Sequence, residues 1–166
     1  MDPVEDIIRA IEEAFAGVPC GEITIHEAEV IDAYGTEAMR RKARARDTET
    51  DWRDVPDSSV TECSDALTFL DPVGWRFYLP VYMRFGLRHL RSGHNNAIDH
   101  AIYSLNKGDV ADLANYKLQR FRMLDRAQTH AVQRFLAFAA DNDAFCDSVI
   151  AKSALASHWS RAAEFA

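Results

Sequence analysis

Apolar positions recur at helical spacing along most of this chain, and helix start and stop signals divide them into segments. In the first segment Asp2 suits an N-cap, Pro3 the first helical position, and Glu5 lies three residues after the cap. Ile7, Ile8, Ile11, Ala14 and Phe15 form one stripe, ended by Gly17 and Pro19. A second helix is expected after Thr24, which pairs with Glu27 as a capping box. It puts Ile31 and Tyr34 on a face with Glu27 and Ala38. Gly35-Thr36 interrupts, and Thr36 can cap a further helix to about Arg46. That piece, EAMRRKARARD, nearly lacks an apolar face and should be solvent-exposed on most sides.

The rest of the chain follows the same logic. Residues 47–66 read as an acidic loop with one short helix after Pro56, pinned to the body by Trp52. Asn95 to Leu105 carries Ile98, Ala101, Ile102 and Leu105 at helical spacing and stops at Asn106-Lys107-Gly108. Asp125 and Gln128 form another capping box, ahead of a face of Val132, Phe135, Leu136 and Ala139. Asp143 can cap a last helix with Phe145, Val149, Ala156 and Trp159. The expected architecture is mainly α, a single-domain helical bundle over residues 1–166.

Phe69–Gly86, FLDPVGWRFYLPVYMRFG, supports two local structures. Asp-Pro-Val-Gly suits a type I turn, which would join two short strands into a β-hairpin near residues 66–79. Alternatively Asp71 is an N-cap and Pro72 the first residue of a helix, with Trp75, Leu79 and Tyr82 on one face. An interior proline costs about 3 kcal/mol, so Pro80 should divide the segment and start a second helix, Val81 to Arg91. A kinked helical pair is favoured over the hairpin. Tyr82, Phe85 and Leu87 cannot all face one core on such a helix, which leaves apolar surface that a homodimer could use.

Charge alters this picture by its arrangement. The net charge of −7 disfavours general nucleic-acid binding. Residues 1–39 hold ten acids and one base, 40–46 five bases, 47–72 eight acids and one base, and 73–92 four arginines and no acid. Such blocks can pair within one fold or face a partner. The three cysteines are odd in number and lack zinc spacing, which points to a reducing, cytoplasmic setting. The N-terminus lacks a signal-peptide pattern, and no apolar run reaches membrane-spanning length.

The run ALTFLDPVGWRFYLPVYM resembles the signature of a bacterial family of proteins of unknown function, an aromatic block of the form LDPxGxRFYLPAYM. Trp52 to Pro56, the helix bearing Gln128, Ala131, Val132, Phe135, Leu136 and Phe138, and His158-Trp159 extend the resemblance over most of the chain. Val81 stands where the family usually has alanine. The resemblance implies no activity, cofactor or catalytic residue.

The candidate chemistry is sparse. The aromatic block is accounted for by core packing, or else floors a pocket where Arg76 or Tyr78 meets a ligand. Arg84, Arg88 and Arg91 share a helical face, suited to an anion or acidic partner unless they pair with Asp51, Asp54 or Asp57. Arg76, Tyr78, Arg84, Arg88 and Arg91 are therefore the candidate binding residues. His89, His94, Asp99 and His100 could serve a hydrolase or metal-dependent enzyme, although their spacing fits no single helical face. Glu22, His26 and Glu29 have half the spacing of a di-metal site, with no matching second helix. Phosphate-binding glycine loops and nucleophile elbows are absent, and no cofactor is implied. The leading expectation is a non-catalytic, macromolecule-binding protein that occludes a basic protein partner, by analogy with antitoxins and immunity proteins. The enzyme built on His89–His100 is the alternative.

Overall fold

The computed structural model describes residues 2–92 and 96–162. The chain is mainly α, and no strand occurs among the described residues. Helices α1 (Pro3–Ala14), α2 (Ile25–Asp32) and α3 (Glu37–Arg44) precede a 3₁₀ turn (Trp52–Asp54) and α4 (Asp57–Glu62). A second 3₁₀ turn (Ala66–Thr68) leads into α5 (Pro72–Arg88). Then follow α6 (Ala97–Leu105), α7 (Ala111–Phe121), α8 (Arg126–Ala140) and α9 (Ser148–Ala154). A π-helical turn (Leu155–Trp159) joins α9 to α10 (Ser160–Ala162).

α5 is the hub. It packs against α1, α4, α6 and α7, while α8 packs on α1 and α9. The hairpin does not form, and Pro80 does not end the helix: α5 runs unbroken through it. Trp75, Phe77, Tyr78, Leu79, Val81, Tyr82 and Met83 are all buried, so the helix is covered on every side. Such burial, worth about 1.5–3 kcal/mol per large side chain, outweighs one missing backbone hydrogen bond. The helix stops at Arg88, short of the expected Arg91.

Each tryptophan is fully buried and donates its indole N–H. Trp52 Nε1 donates to the Phe15 carbonyl at the end of α1 (2.8 Å), and Trp159 Nε1 to the Leu105 carbonyl at the end of α6 (2.8 Å). Both bonds go to carbonyls at helix ends, where the intrahelical ladder runs out. Trp75 Nε1 donates to Ser104 Oγ (3.4 Å). Trp52 thereby anchors the acidic segment as its sequence suggests.

Local signals had mixed outcomes. Asp125 and Gln128 form their capping box in full. Thr24 takes the N-cap position of α2 but makes no side-chain cap bond, while the Glu27 carboxylate, which feels the Thr24 amide, is also bound by two arginines of α3. The last helix is capped by Asp147 rather than Asp143, leaving Phe145 and Val149 exposed. The sequence of α7 shows no cap that would announce it: Val110 holds the N-cap position, and Leu113 and Tyr116 of its apolar positions stay exposed.

Candidate functional site

The family-like block is built as a joint. Asp71 caps α5, with Oδ2 accepting from the Val73 and Gly74 amides at 3.2 Å each. Its Oδ1 accepts from the Glu22 and Ile23 amides (3.1 and 2.9 Å), so one carboxylate ties the loop before α2 to the start of α5. The backbones there nearly touch: a Cβ on Gly21 would lie 2.2 Å from the Gly74 amide nitrogen. Arg76 Nε donates to Gln128 Oε1 (3.0 Å), and Gln128 Nε2 donates to the Ala14 carbonyl (3.2 Å). Arg76 and buried Gln128 thus join α5, α8 and the end of α1. Tyr78 is buried edge-on against Phe77, and burial pushes its hydroxyl pKa up.

The arginine face divides. Arg84 is buried; its guanidinium lies over the Trp52 ring, donates to the Arg53 carbonyl (3.0 Å) and reaches Glu12 (3.7 Å). Arg88 pairs with the same Glu12 (3.2 Å). The partner is thus an acid of α1 rather than Asp51, Asp54 or Asp57. Arg88 and Arg91 also line an open groove of about 460 Å³ with Leu90, Phe138 and Phe145.

Among the described residues His89, Asp99 and His100 each turn to a different partner rather than to one another. His89 Nε2 lies 3.1 Å from Asp57, and His100 Nδ1 lies 2.9 Å from Asp65. Asp99 accepts from the Asp147 amide (2.8 Å), and His94 lies outside the described residues. His26 pairs with neither Glu22 nor Glu29: its Nδ1 is 2.5 Å from Asp47 and its Nε2 3.4 Å from Glu62. Among the described residues no group of three or more His, Cys, Asp and Glu side chains is arranged to hold a metal ion.

Three arginines of the basic run pair within the fold. Glu27 is fully buried and accepts from Arg40 (Nε 3.1 Å) and Arg44 (Nε 2.7 Å), while Arg46 pairs with Glu62 (2.7 Å). Burial pushes the Glu27 carboxyl pKa up, but the hydrogen bonds from Arg44 and Arg40 outweigh it and hold the pKa below its ordinary value.

At the turn from α2 to α3 the chain closes a Schellman motif: the Tyr34 amide donates to the Ile31 carbonyl (3.0 Å) and the Gly35 amide to Val30 (2.8 Å). The position that favours glycine holds Tyr34 instead, at φ 56° and 97% exposed. Gly35 cannot change places with it, because a Cβ there would meet Val30 Cγ1 at 2.4 Å. Met39, 53% exposed, lies alongside. Glu29 and Asp32 lie on the helix that ends here. Burial pushes the Glu29 carboxyl pKa up, and the charges of Asp65 and Asp32 push it further. Nothing in the helical pattern announces Tyr34, which by spacing belongs with Ile31.

Sequence reading also passes over Arg120. It is 1% exposed and donates to the carbonyls of Leu67 (2.9 Å), Thr68 (2.9 Å) and Leu70 (2.7 Å). It holds the second 3₁₀ turn in place with no acid in an ion pair among the described residues.

The family model that matches this chain covers residues 4–163 and is described as a family of unknown function, DUF6714. No curated protein and no solved structure matches it. Among the described residues no helix is long and apolar enough to cross a membrane.

Proposed function

The chain belongs to the DUF6714 family, a family of unknown function, and we propose that it works by binding a basic protein partner at the corner between α2 and α3. The mode is that of an antitoxin or immunity protein, which occludes its target without chemistry. Tyr34 carries this reading. A tyrosine fully exposed in a left-handed conformation contributes nothing to the core and costs stability, and such outliers gather at functional positions. Tyrosine is also among the residues that dominate binding energy at interfaces. Glu29 and Asp32 lie on the helix that ends at this corner; burial chiefly, and then the charges of Asp65 and Asp32, raise the Glu29 pKa, and a cationic partner would favour the ionised form of these acids. The unpaired thiols Cys20, Cys63 and Cys146 suit the cytoplasm.

The test is affinity capture from the source cell, comparing the native protein with a Tyr34→Gly/Asp32→Asn/Asp65→Asn variant. A basic protein should be retained by the native chain, elute with salt and be absent from the variant. Identical retained proteins for the two baits would exclude this corner.

A second reading attaches to Arg88 and Arg91, which line the groove beside Phe138 and Phe145 and would suit an acidic partner. In that reading Arg84, Arg76 and Tyr78 support the groove from within the core. Loss of a captured acidic protein in an Arg88→Gln/Arg91→Gln variant would favour it. Unchanged capture would remove it.

A further inference from the structure

A cleft of about 360 Å³ opens between the second 3₁₀ turn, α6 and α7. Its wall is mostly apolar: Leu67, Leu113, and the rings of Tyr103 and Tyr116. Two cations stand in it. Arg120 lies at its buried side, stacked on the Tyr116 ring at 4.4 Å, with its Nε–H unpartnered. Lys117, half-buried, donates to the carbonyls of Tyr103 (2.8 Å) and Asn106 (2.7 Å). An ammonium has three donors, so one is left. Neither cation forms an ion pair among the described residues. Asp65 lines the same cleft but is engaged by His100 at 2.9 Å. Burial and the neighbouring Arg120 both push the Lys117 pKa down, as expected for a cation with no counter-charge at hand.

Side-chain cations gathered in an apolar recess, held by neutral carbonyls and one spare donor, define what would fit. An apolar wall with a few convergent polar groups is the usual form of a small-molecule site. We infer that the cleft binds a small apolar carboxylate, its chain or ring against Leu67, Leu113 and Tyr103 and its carboxylate on Lys117 with Arg120 behind. This site is separate from the corner at Tyr34 and shares only Asp65 with it, so either can fail without the other.

The experiment is calorimetric titration of the whole protein with octanoate, octanamide and inorganic phosphate. Octanoate should bind saturably, and octanamide and phosphate at least tenfold more weakly. Lys117→Gln should weaken octanoate at least tenfold. Leu113→Glu should do the same by setting a negative charge at the mouth; Leu113 is 48% exposed, so this variant tests the site even if Lys117→Gln fails to fold. Equal binding of octanamide would overturn the role of the cations. Equal binding of phosphate would overturn the apolar class. Absent binding of octanoate, or binding unchanged in Leu113→Glu, would overturn the site.

Discussion

Glu27 shows how one side chain decides the meaning of a whole charge block. RRKARAR reads as a solvent-exposed run of five bases, yet two of its arginines converge on a carboxylate with no solvent exposure. Removing one partner of a fully buried pair costs about 3–5 kcal/mol. Arg40 and Arg44 are 32% and 43% exposed and can return to water, so Glu27→Gln is expected to cost less, about 2 kcal/mol, read by urea unfolding. The pH dependence follows from the direction of the shift. The folded-state pKa lies below the ordinary 4.5, so the contribution is complete above that value and lost as pH falls through the lowered one. The acid limb of the stability curve should therefore be shallower in Glu27→Gln. Glu29 behaves oppositely: its pKa is raised, so its ionised form is disfavoured in the fold at neutral pH.

At the scale of elements, legibility tracked how local the cause was. α1 and the start of α8 could be read because their caps and stripes lie within a few residues. α5 was misread at Pro80, because the burial that overrides the missing hydrogen bond comes from helices distant in sequence. Gly21 and Gly74 are 53 residues apart, so nothing in the sequence reveals their near contact; only the structure explains the glycine of the LDPxG run. Inserting a methyl group into packed backbone costs about 1–3 kcal/mol. Gly21→Ala should lose about that much or more, since a Cβ 2.2 Å from the Gly74 nitrogen forces the loop off α5. A midpoint of thermal unfolding within about 1 °C of the native protein would contradict the joint. Arg120 was equally hidden, because its three acceptors lie 50 or more residues upstream. Arg120→Met should destabilise by about 3 kcal/mol through orphaned carbonyls, and Arg120→Lys should restore only part of that, since an ammonium lacks the fork.

Over the molecule as described, most of the candidate side chains are taken up by partners within the fold. Arg76, Tyr78 and Arg84 hold helices together, and His26, His89 and His100 each face a different acid. What stands apart is the corner at Tyr34, where the fold holds an unfavourable backbone conformation at the end of the helix that carries Glu29, a carboxyl whose pKa is raised first by burial and then by the charges of Asp65 and Asp32. Residues kept for binding can be improved for stability at the expense of function. The direct measurement is the urea unfolding free energy of a Tyr34→Gly/Glu29→Gln variant at pH 7. Relief of the left-handed backbone should contribute about 0.5–1 kcal/mol, and removal of the Glu29 charge should add in the same direction. A variant more stable than the native protein is the predicted result; one less stable would mean that Tyr34 and Glu29 serve the fold, and the corner would lose its claim to be a binding surface.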